Sequence, residues 1–285
     1  MCLTTKQTIG GAIIMNKVLV MGGSGLVGKA IMSEINKYKE FQIYATYFKS
    51  TIPLNQNRCF KLNIEDSDNI NSILNILKPQ NIISCLRGDY DKQLVLHTKV
   101  AEYLNRSGGR LYFCSTSNVF DNDSSKPHYE DDLPNSCTDY GQYKVECEKK
   151  ITEILHDNAC ILRLPQVWGK DSPRMRQLVK ALTINDKVIA YPKLVFNTIT
   201  DVMIAKKIYY IMEHELKGNF HLVAEDVSNH KEFYNKFITG LGFNNERVEE
   251  NLKEEGYFAL LSKRNNEFPE WLRLTNKSVI NYLIN

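Results

Sequence analysis

An α/β fold built on a doubly wound parallel sheet, with a smaller part at the C-terminal end, is what this sequence predicts. Three observations point there. An apolar run at residues 18–21 passes through glycines at 22, 25 and 28 directly into a helical pattern. Strand-like and helix-like patterns then alternate as far as residue 165, and such alternation demands parallel strands joined by right-handed crossovers. Beyond that point the patterns are short and mixed, as insertions packed at the carboxyl edge of a sheet would be, where open α/β sheets bind ligands.

The opening element organises the rest. Val18, Leu19, Val20 and Met21 do not alternate with polar residues, so the strand is buried on both faces. A helical pattern follows through Ile31, Met32 and Ile35. A strand that turns sharply into a helix leaves the first helical N–H groups unpaired and aimed at one spot, where the helix dipole adds its positive end. That spot is an anion site. Gly22 permits the tight turn, Gly25 lets a pyrophosphate approach the backbone, and Gly28 lets helix and strand pack closely. With Ser24, Leu26 and Val27 they make the predicted cradle of a Rossmann-type dinucleotide site. Glycines also serve plain turns; here strand, spacing and helix coincide.

Residues 41–48 read as a second strand, rich in Ile, Tyr and Phe, and residues 57–62 as a short third. Ile70, Ile73, Leu74 and Leu77 mark one face of a helix that Pro79 closes. A fourth strand at 81–85, a helix at 91–106 stopped by Gly108-Gly109, and a fifth strand at 110–115 follow. A polar loop with Pro127 and Pro134 fills residues 121–139. Helix resumes at 139–156, then a strand at 159–164 that Pro165 ends. The remainder holds an amphipathic stretch at 174–183, strands near 194–199 and 218–223, and helices at 201–213, 230–240 and 276–284. The division expected is a dinucleotide-binding domain at 16–165 and a mostly substrate-binding part at 166–285, with some segments returning to the first.

Composition narrows the function class. Hydrophobic residues make up 43% of the 285 and charged ones 24%, an ordinary globule. The net charge of +3 comes from mixed signs without a dense basic run, which argues against a nucleic-acid partner. No apolar run approaches the ~20 residues of a membrane helix. Seven scattered cysteines with no CxxC pair suit a reducing cytoplasm and give no metal site. Residues 1–14 do not read as a signal peptide, since Thr4, Thr5, Lys6, Gln7 and Thr8 interrupt any apolar core; they read as an extension outside the fold. The acidic groups at 121–123 and 130–132 read as solvated loop rather than metal cluster.

Two further stretches carry chemistry. In Tyr140-Gly141-Gln142-Tyr143-Lys144, a spacing of four puts the Tyr140 phenol and the Lys144 ammonium on one helix face. A phenol titrates near ~10 in water, and a nearby cation lowers that value, as proton transfer at neutral pH requires. A surface pair fits the same spacing. In Ser115-Thr116-Ser117-Asn118-Val119-Phe120, a hydroxyl stands over the carboxyl edge of the fifth strand, or merely caps it.

Taken with the glycine loop, these stretches and Ile161-Leu162-Arg163-Leu164-Pro165-Gln166-Val167-Trp168-Gly169 resemble the extended short-chain dehydrogenase/reductase family. Within it the sequence is similar to the dTDP-4-dehydrorhamnose reductase (RmlD-like) group, which reduces nucleotide-linked 4-keto sugars. Thr200-Asp201-Val202 and Gly218-Asn219-Phe220-His221-Leu222 also fit, so the resemblance runs from about residue 16 through most of the chain. It implies a role in dTDP-rhamnose biosynthesis, a nucleotide-sugar substrate, hydride from a nicotinamide, and Tyr140 as proton donor to the substrate carbonyl. Lys144 would hold the nicotinamide ribose and keep Tyr140 acidic, while Thr116 would hydrogen-bond the carbonyl. Pro165 would border the carboxamide, and Cys85, Leu86 and Arg87 would lie under the cofactor.

Departures from the group's pattern stand beside these matches. Ser84-Cys85-Leu86-Arg87 replaces an alanine-rich run, His97 stands where asparagine is usual, and Asn63-Ile64 replaces the Asp-hydrophobic pair that touches adenine. The family's dehydratases carry Asp-Glu after the active-site threonine; Ser117-Asn118 argues against elimination, and the short tail argues mildly against epimerisation. NADPH is favoured over NADH, because the second strand ends without an acidic residue and offers Lys49, Ser50 and Thr46 to a 2′-phosphate; Lys49 also fits as a solvated loop residue. A homodimer is left open. The alternatives to a reductase are a non-catalytic NADP-binding regulatory subunit of another enzyme and a nucleotide-sugar epimerase.

Overall fold

The computed structural model describes residues 8–9, 12–13, 16–52 and 54–285. Most of the segment 1–14, read above as an extension, lies outside them; within it Thr8–Ile9 pairs antiparallel with Ala12–Ile13. The main sheet begins with β1 (Asn16–Met21), which leads into α1 (Leu26–Ile35), then β2 (Phe41–Tyr47) and β3 (Cys59–Lys61). After α2 (Ser67–Leu77) come β4 (Asn81–Ser84), α3 (Tyr90–Ser107), β5 (Arg110–Thr116), α4 (Asp139–Leu155) and β6 (Ala159–Leu164). The second part contributes β7 (Gln166–Trp168), α5 (Pro173–Thr183), β8 (Val188–Ala190), β9 (Lys193–Phe196), β10 (Thr198–Thr200), α6 (Asp201–Glu213) and β11 (Gly218–His221). It ends with β12 (Ser228–Asn229), α7 (His230–Gly240), β13 (Val248–Glu250), β14 (Glu255–Phe258) and α8 (Asn276–Ile284).

Seven strands form one sheet in the order β11-β6-β5-β4-β1-β2-β3, and every neighbouring pair is parallel. The strand order reverses at β1, so the crevice between the carboxyl ends of β1 and β4 is the topological switch point. The unbroken apolar run of β1 now has its reason. Val18 and Val20 face a core shared with α1 and α6, while Leu19 and Met21 face a second core shared with α2, α3 and α4. All four are fully buried, and each such side chain contributes about 1.5–3 kcal/mol on leaving water. Two returns from the second part complete the sheet: β11 pairs with β6, and α6 packs against α1.

The structure departs from expectation at several edges. The third strand is confined to Cys59–Lys61, because residues 56–58 form a 3₁₀ turn whose Asn57 amide bonds the Asn55 side chain. α2 starts ahead of Ile70, since the Asp66 carboxylate caps the amides of residues 68 and 69. The stretch 194–199 is two strands, not one. Asn197 between them turns its side chain into the core, where it donates to Ala224 O at 3.3 Å and to Leu260 O and accepts from Leu260 N. Three small sheets not expected from the sequence follow: β7 with β10, β8 with β13, and β9 between β12 and β14.

Candidate functional site

The glycine turn sits at the switch point. Gly22 has φ +85°, and a Cβ there would lie 2.9 Å from Cys85 O. Its N–H is held by the Thr46 hydroxyl at 3.1 Å, and the Gly23 N–H by Thr46 O at 3.0 Å. A Cβ on Gly28 would lie 2.3 Å from Gly22 O, so α1 rests directly on the turn. At Gly25 the nearest atom to such a Cβ is Gly22 O at 3.4 Å, and the residue is exposed. No side chain caps α1 at Gly25, whose own N–H donates to Gly22 O at 3.1 Å, and the first helical bond is Lys29 N to Gly25 O at 2.9 Å. An open glycine before an uncapped helix N-terminus suits a pyrophosphate. Gly23 is a further requirement that the sequence reading missed: a Cβ there would meet Ala45 at 2.8 Å and Met32 at 3.1 Å.

Around the turn, Ser24, Leu26 and Val27 are half-buried on the same loop. Lys49 and Ser50 are exposed beyond the end of β2, with the Lys49 ammonium 5.6 Å from the Phe48 ring centre. Thr46 corrects an expectation. It is 1% exposed with its hydroxyl taken by Gly22, so it cannot serve a 2′-phosphate. Asn63 folds its side chain back to accept the Glu65 N–H at 3.1 Å, and Ile64 packs against the core shared with α2, α3 and α4. Cys85 follows β4 with its N–H on Met21 O at 2.9 Å; Arg87 is exposed, one residue past half-buried Leu86. Pro165 is buried between β6 and β7. His97, in the usual asparagine position, has Nδ1 2.7 Å from Gln93 O and Nε2 2.7 Å from Ser84 Oγ. Burial, helped by the Lys144 charge, lowers its pKa to about 3.

Thr116 ends β5, where its hydroxyl donates to Asn118 Oδ1 at 2.9 Å and accepts the Asn118 N–H at 3.3 Å, and Tyr140 stands in the first turn of α4. Burial raises the Tyr140 pKa; the Thr116 hydroxyl and the Arg87 charge offset part of that rise. Lys144, the expected cause of a lowered phenol, is not among the largest influences on it. Lys144 is buried, donates to Cys114 O at 2.9 Å, and lies 4.4 Å from the Phe113 ring centre. Burial in turn lowers its own pKa. The i,i+4 spacing does put both residues on one face, but the ammonium is turned toward β5. Tyr90 adds an aromatic wall, stacked on Tyr143 at 5.1 Å and tilted against Tyr140 at 5.9 Å.

Behind Thr116 lies a buried polar node. Ser115 Oγ donates to Glu148 at 2.5 Å, and the Arg163 guanidinium donates to both Glu148 oxygens at 2.8 and 3.2 Å. Arg163 also donates to Glu130 O at 3.2 Å, while the Glu130 carboxylate accepts His221 N at 3.1 Å, Lys263 N at 3.0 Å and the Ser262 hydroxyl. The node gathers residues from six separate stretches, and no local motif announces it. Among the described residues no group of three or more His, Cys, Asp or Glu side chains could hold a metal, and no helix is long and apolar enough to cross a membrane.

Comparisons with known proteins bear on the fold. A dTDP-4-dehydrorhamnose reductase from Bacillus anthracis, solved in complex with NADP, superposes with a TM-score of 0.80 over 95% of this chain and 98% of that one, at 18% identity. A dTDP-4-keto-6-deoxy-D-glucose reductase from Streptomyces niveus is 21% identical over 216 residues, 71% of each chain. Methionine adenosyltransferase 2 subunit beta from Danio rerio is 28% identical over 164 residues, 54% of this chain. That match spans about half the length of the relative (49%). The family model described as the RmlD substrate binding domain matches residues 15–257, and the chain belongs to that family.

Proposed function

We propose that the chain is an NADPH-dependent reductase of a nucleotide-activated 4-keto sugar. The observation that carries the reading is the placement of Thr116, at the end of β5, and Tyr140, in the first turn of α4, together with a glycine turn left open at Gly25. The turn and the uncapped amides of α1 would hold the pyrophosphate, with Lys49 and Ser50 at the 2′-phosphate and NADH as the poorer substitute. Bound there, the nicotinamide supplies hydride. Tyr140 then gives its phenolic proton to the carbonyl oxygen that becomes a hydroxyl. Burial raises its pKa and so makes the phenol a weaker acid, and a cation brought beside it with the cofactor would lower that value toward what proton transfer requires. Thr116 orients the carbonyl and meets the charge that develops on its oxygen. Lys144, freed from Cys114 O, would reach the ribose hydroxyls.

A second reading is a cofactor-binding subunit of another enzyme. The similarity to a methionine adenosyltransferase subunit supports it, as does a Lys144 committed to Cys114 O rather than to Tyr140. One experiment separates the two. Purified protein is mixed with NADPH and a panel of nucleotide 4-keto sugars, and absorbance loss at the dihydronicotinamide band is followed. Turnover of one sugar supports the reductase; tight NADPH binding with no turnover of any supports the subunit.

A further inference from the structure

Cys85 and Cys114 play no part in the proton relay, yet their sulfurs lie 3.5 Å apart. The register explains why. Ser84 of β4 pairs with Phe113 of β5, so the next residue on each strand is a cysteine, and both side chains point into the core shared with α1 and α6. Cys85 is half-buried and Cys114 only 7% exposed. Each is tied by its backbone to the candidate site: Cys85 O stands against Gly22, and Cys114 O holds Lys144.

We propose that Cys85 and Cys114 are an oxidation site, a dithiol that a peroxide closes to a disulfide in the floor of the dinucleotide cradle. The chemistry balances in two steps. Cys85 gives up its proton, its thiolate attacks one peroxide oxygen, the O–O bond breaks, and the sulfur becomes a sulfenic acid as the other oxygen leaves as hydroxide and takes that proton to become water. The Cys114 sulfur then attacks the sulfenic sulfur, the S–S bond forms, and hydroxide departs with the Cys114 proton as a second water. The two thiols lose two electrons to one peroxide, and an external dithiol reverses the change. The hydrogen bond to Cys114 and burial hold the Cys85 thiol well above its ordinary value, with the Lys144 charge working the other way, so the first step is slow at neutral pH. The second is fast, because the partner sulfur is already in place. Closure draws on the strand ends that carry the Cys85 and Cys114 carbonyls, and so acts on the Gly22 turn and on Lys144 together.

The test uses the full chain, reduced and then exposed to dilute hydrogen peroxide with and without NADPH. Non-reducing peptide mapping is expected to find the Cys85–Cys114 linked peptide, to lose it on dithiothreitol treatment, and to find less of it when NADPH is present. In Cys114→Ser the linked peptide is absent, and a sulfenic-acid trap labels Cys85 instead. Cys85 and Cys114 remaining free, or pairing with other cysteines, while exposed Cys137 is oxidised overturns the proposal. The effect of NADPH rests on the cofactor reading above. A linked peptide that forms equally fast with NADPH present upholds the dithiol and counts against that reading.

Discussion

Gly28→Ala gives the sharpest check on the glycine turn, because its two possible consequences differ in sign. Within an unobstructed helix, alanine is better than glycine by about 0.5–1 kcal/mol, so the substitution would stabilise the protein. Here the new Cβ would lie 2.3 Å from Gly22 O, 2.9 Å from Gly23 Cα and 3.0 Å from Gly22 C. All three are backbone atoms of a turn fixed by Thr46, so no side chain can swing away. To reach ordinary contact at 3.4 Å, α1 must recede by about 1 Å. Overpacking of that kind costs about 1–3 kcal/mol, more than the helix preference returns. A chain of this size loses about 2–4 °C in Tm per kcal/mol, so a net drop of several degrees is expected. Gly25→Ala is the control: its Cβ meets only Gly22 O at 3.4 Å, so Tm should hold while NADPH affinity falls. Thermal unfolding and fluorescence titration with NADPH measure both. A Gly28→Ala protein with a raised Tm would refute the packing argument.

Tyr140→Phe keeps the ring against Tyr90 and should preserve fold and cofactor affinity, while kcat on the natural sugar falls by about 10²–10⁴; near-normal turnover would remove Tyr140 from the mechanism. Lys49→Glu should weaken NADPH by roughly 1.5–3 kcal/mol and leave NADH nearly unchanged, as read by competitive titration. Equal weakening of both would show that Lys49 does not meet a 2′-phosphate. Breaking the buried ion pair with Arg163→Met alone should cost about 3–5 kcal/mol, and the double change with Glu148→Leu should recover much of it, as urea midpoints would show. Burial lowers His97 to about 3 and His221 and His230 to about 4, against about 6.5 unfolded. The unfolded chain therefore binds more protons, and stability falls as pH drops from about 6.5 toward 3. Between pH 7.5 and 5.5 each histidine should cost roughly 1 kcal/mol, and His97→Asn should flatten the slope by one histidine's share.

What was legible in the sequence is what the backbone demands locally. Gly22 and Gly28 announce themselves because a positive φ and a backbone contact admit no side chain, and the two-faced burial of β1 shows as an unbroken apolar run. The restriction on Gly23 was not legible, since it comes from Ala45 on β2 and Met32 on α1. Thr46 looked available because its distant partner, the Gly22 N–H, leaves no trace in a linear pattern. The turn of Lys144 toward Cys114 O is likewise a contact between elements; the i,i+4 rule places both residues on one face but says nothing of where the longer side chain ends. β7, β8 and β13 have three residues each, too few to display a period.

The polar node behind Thr116 also joins residues made early to residues made late in synthesis. The residues that touch the glycine turn lie on β1, α1, β2 and the end of β4, all made by residue 85, while the core beneath α1 is completed only by α6. Glu130 must wait for the His221 and Lys263 amides, and Arg163 beside it is covered only once β11 has paired with β6. Until those late residues emerge, the support under Ser115 and Thr116 carries buried charge without its full set of partners. A nascent chain is thus expected to hold the backbone of its anion cradle before its carboxyl edge is firm. Chains released early would be expected to keep the first and lack the second, a built-in lag between grasping a nucleotide and acting with it.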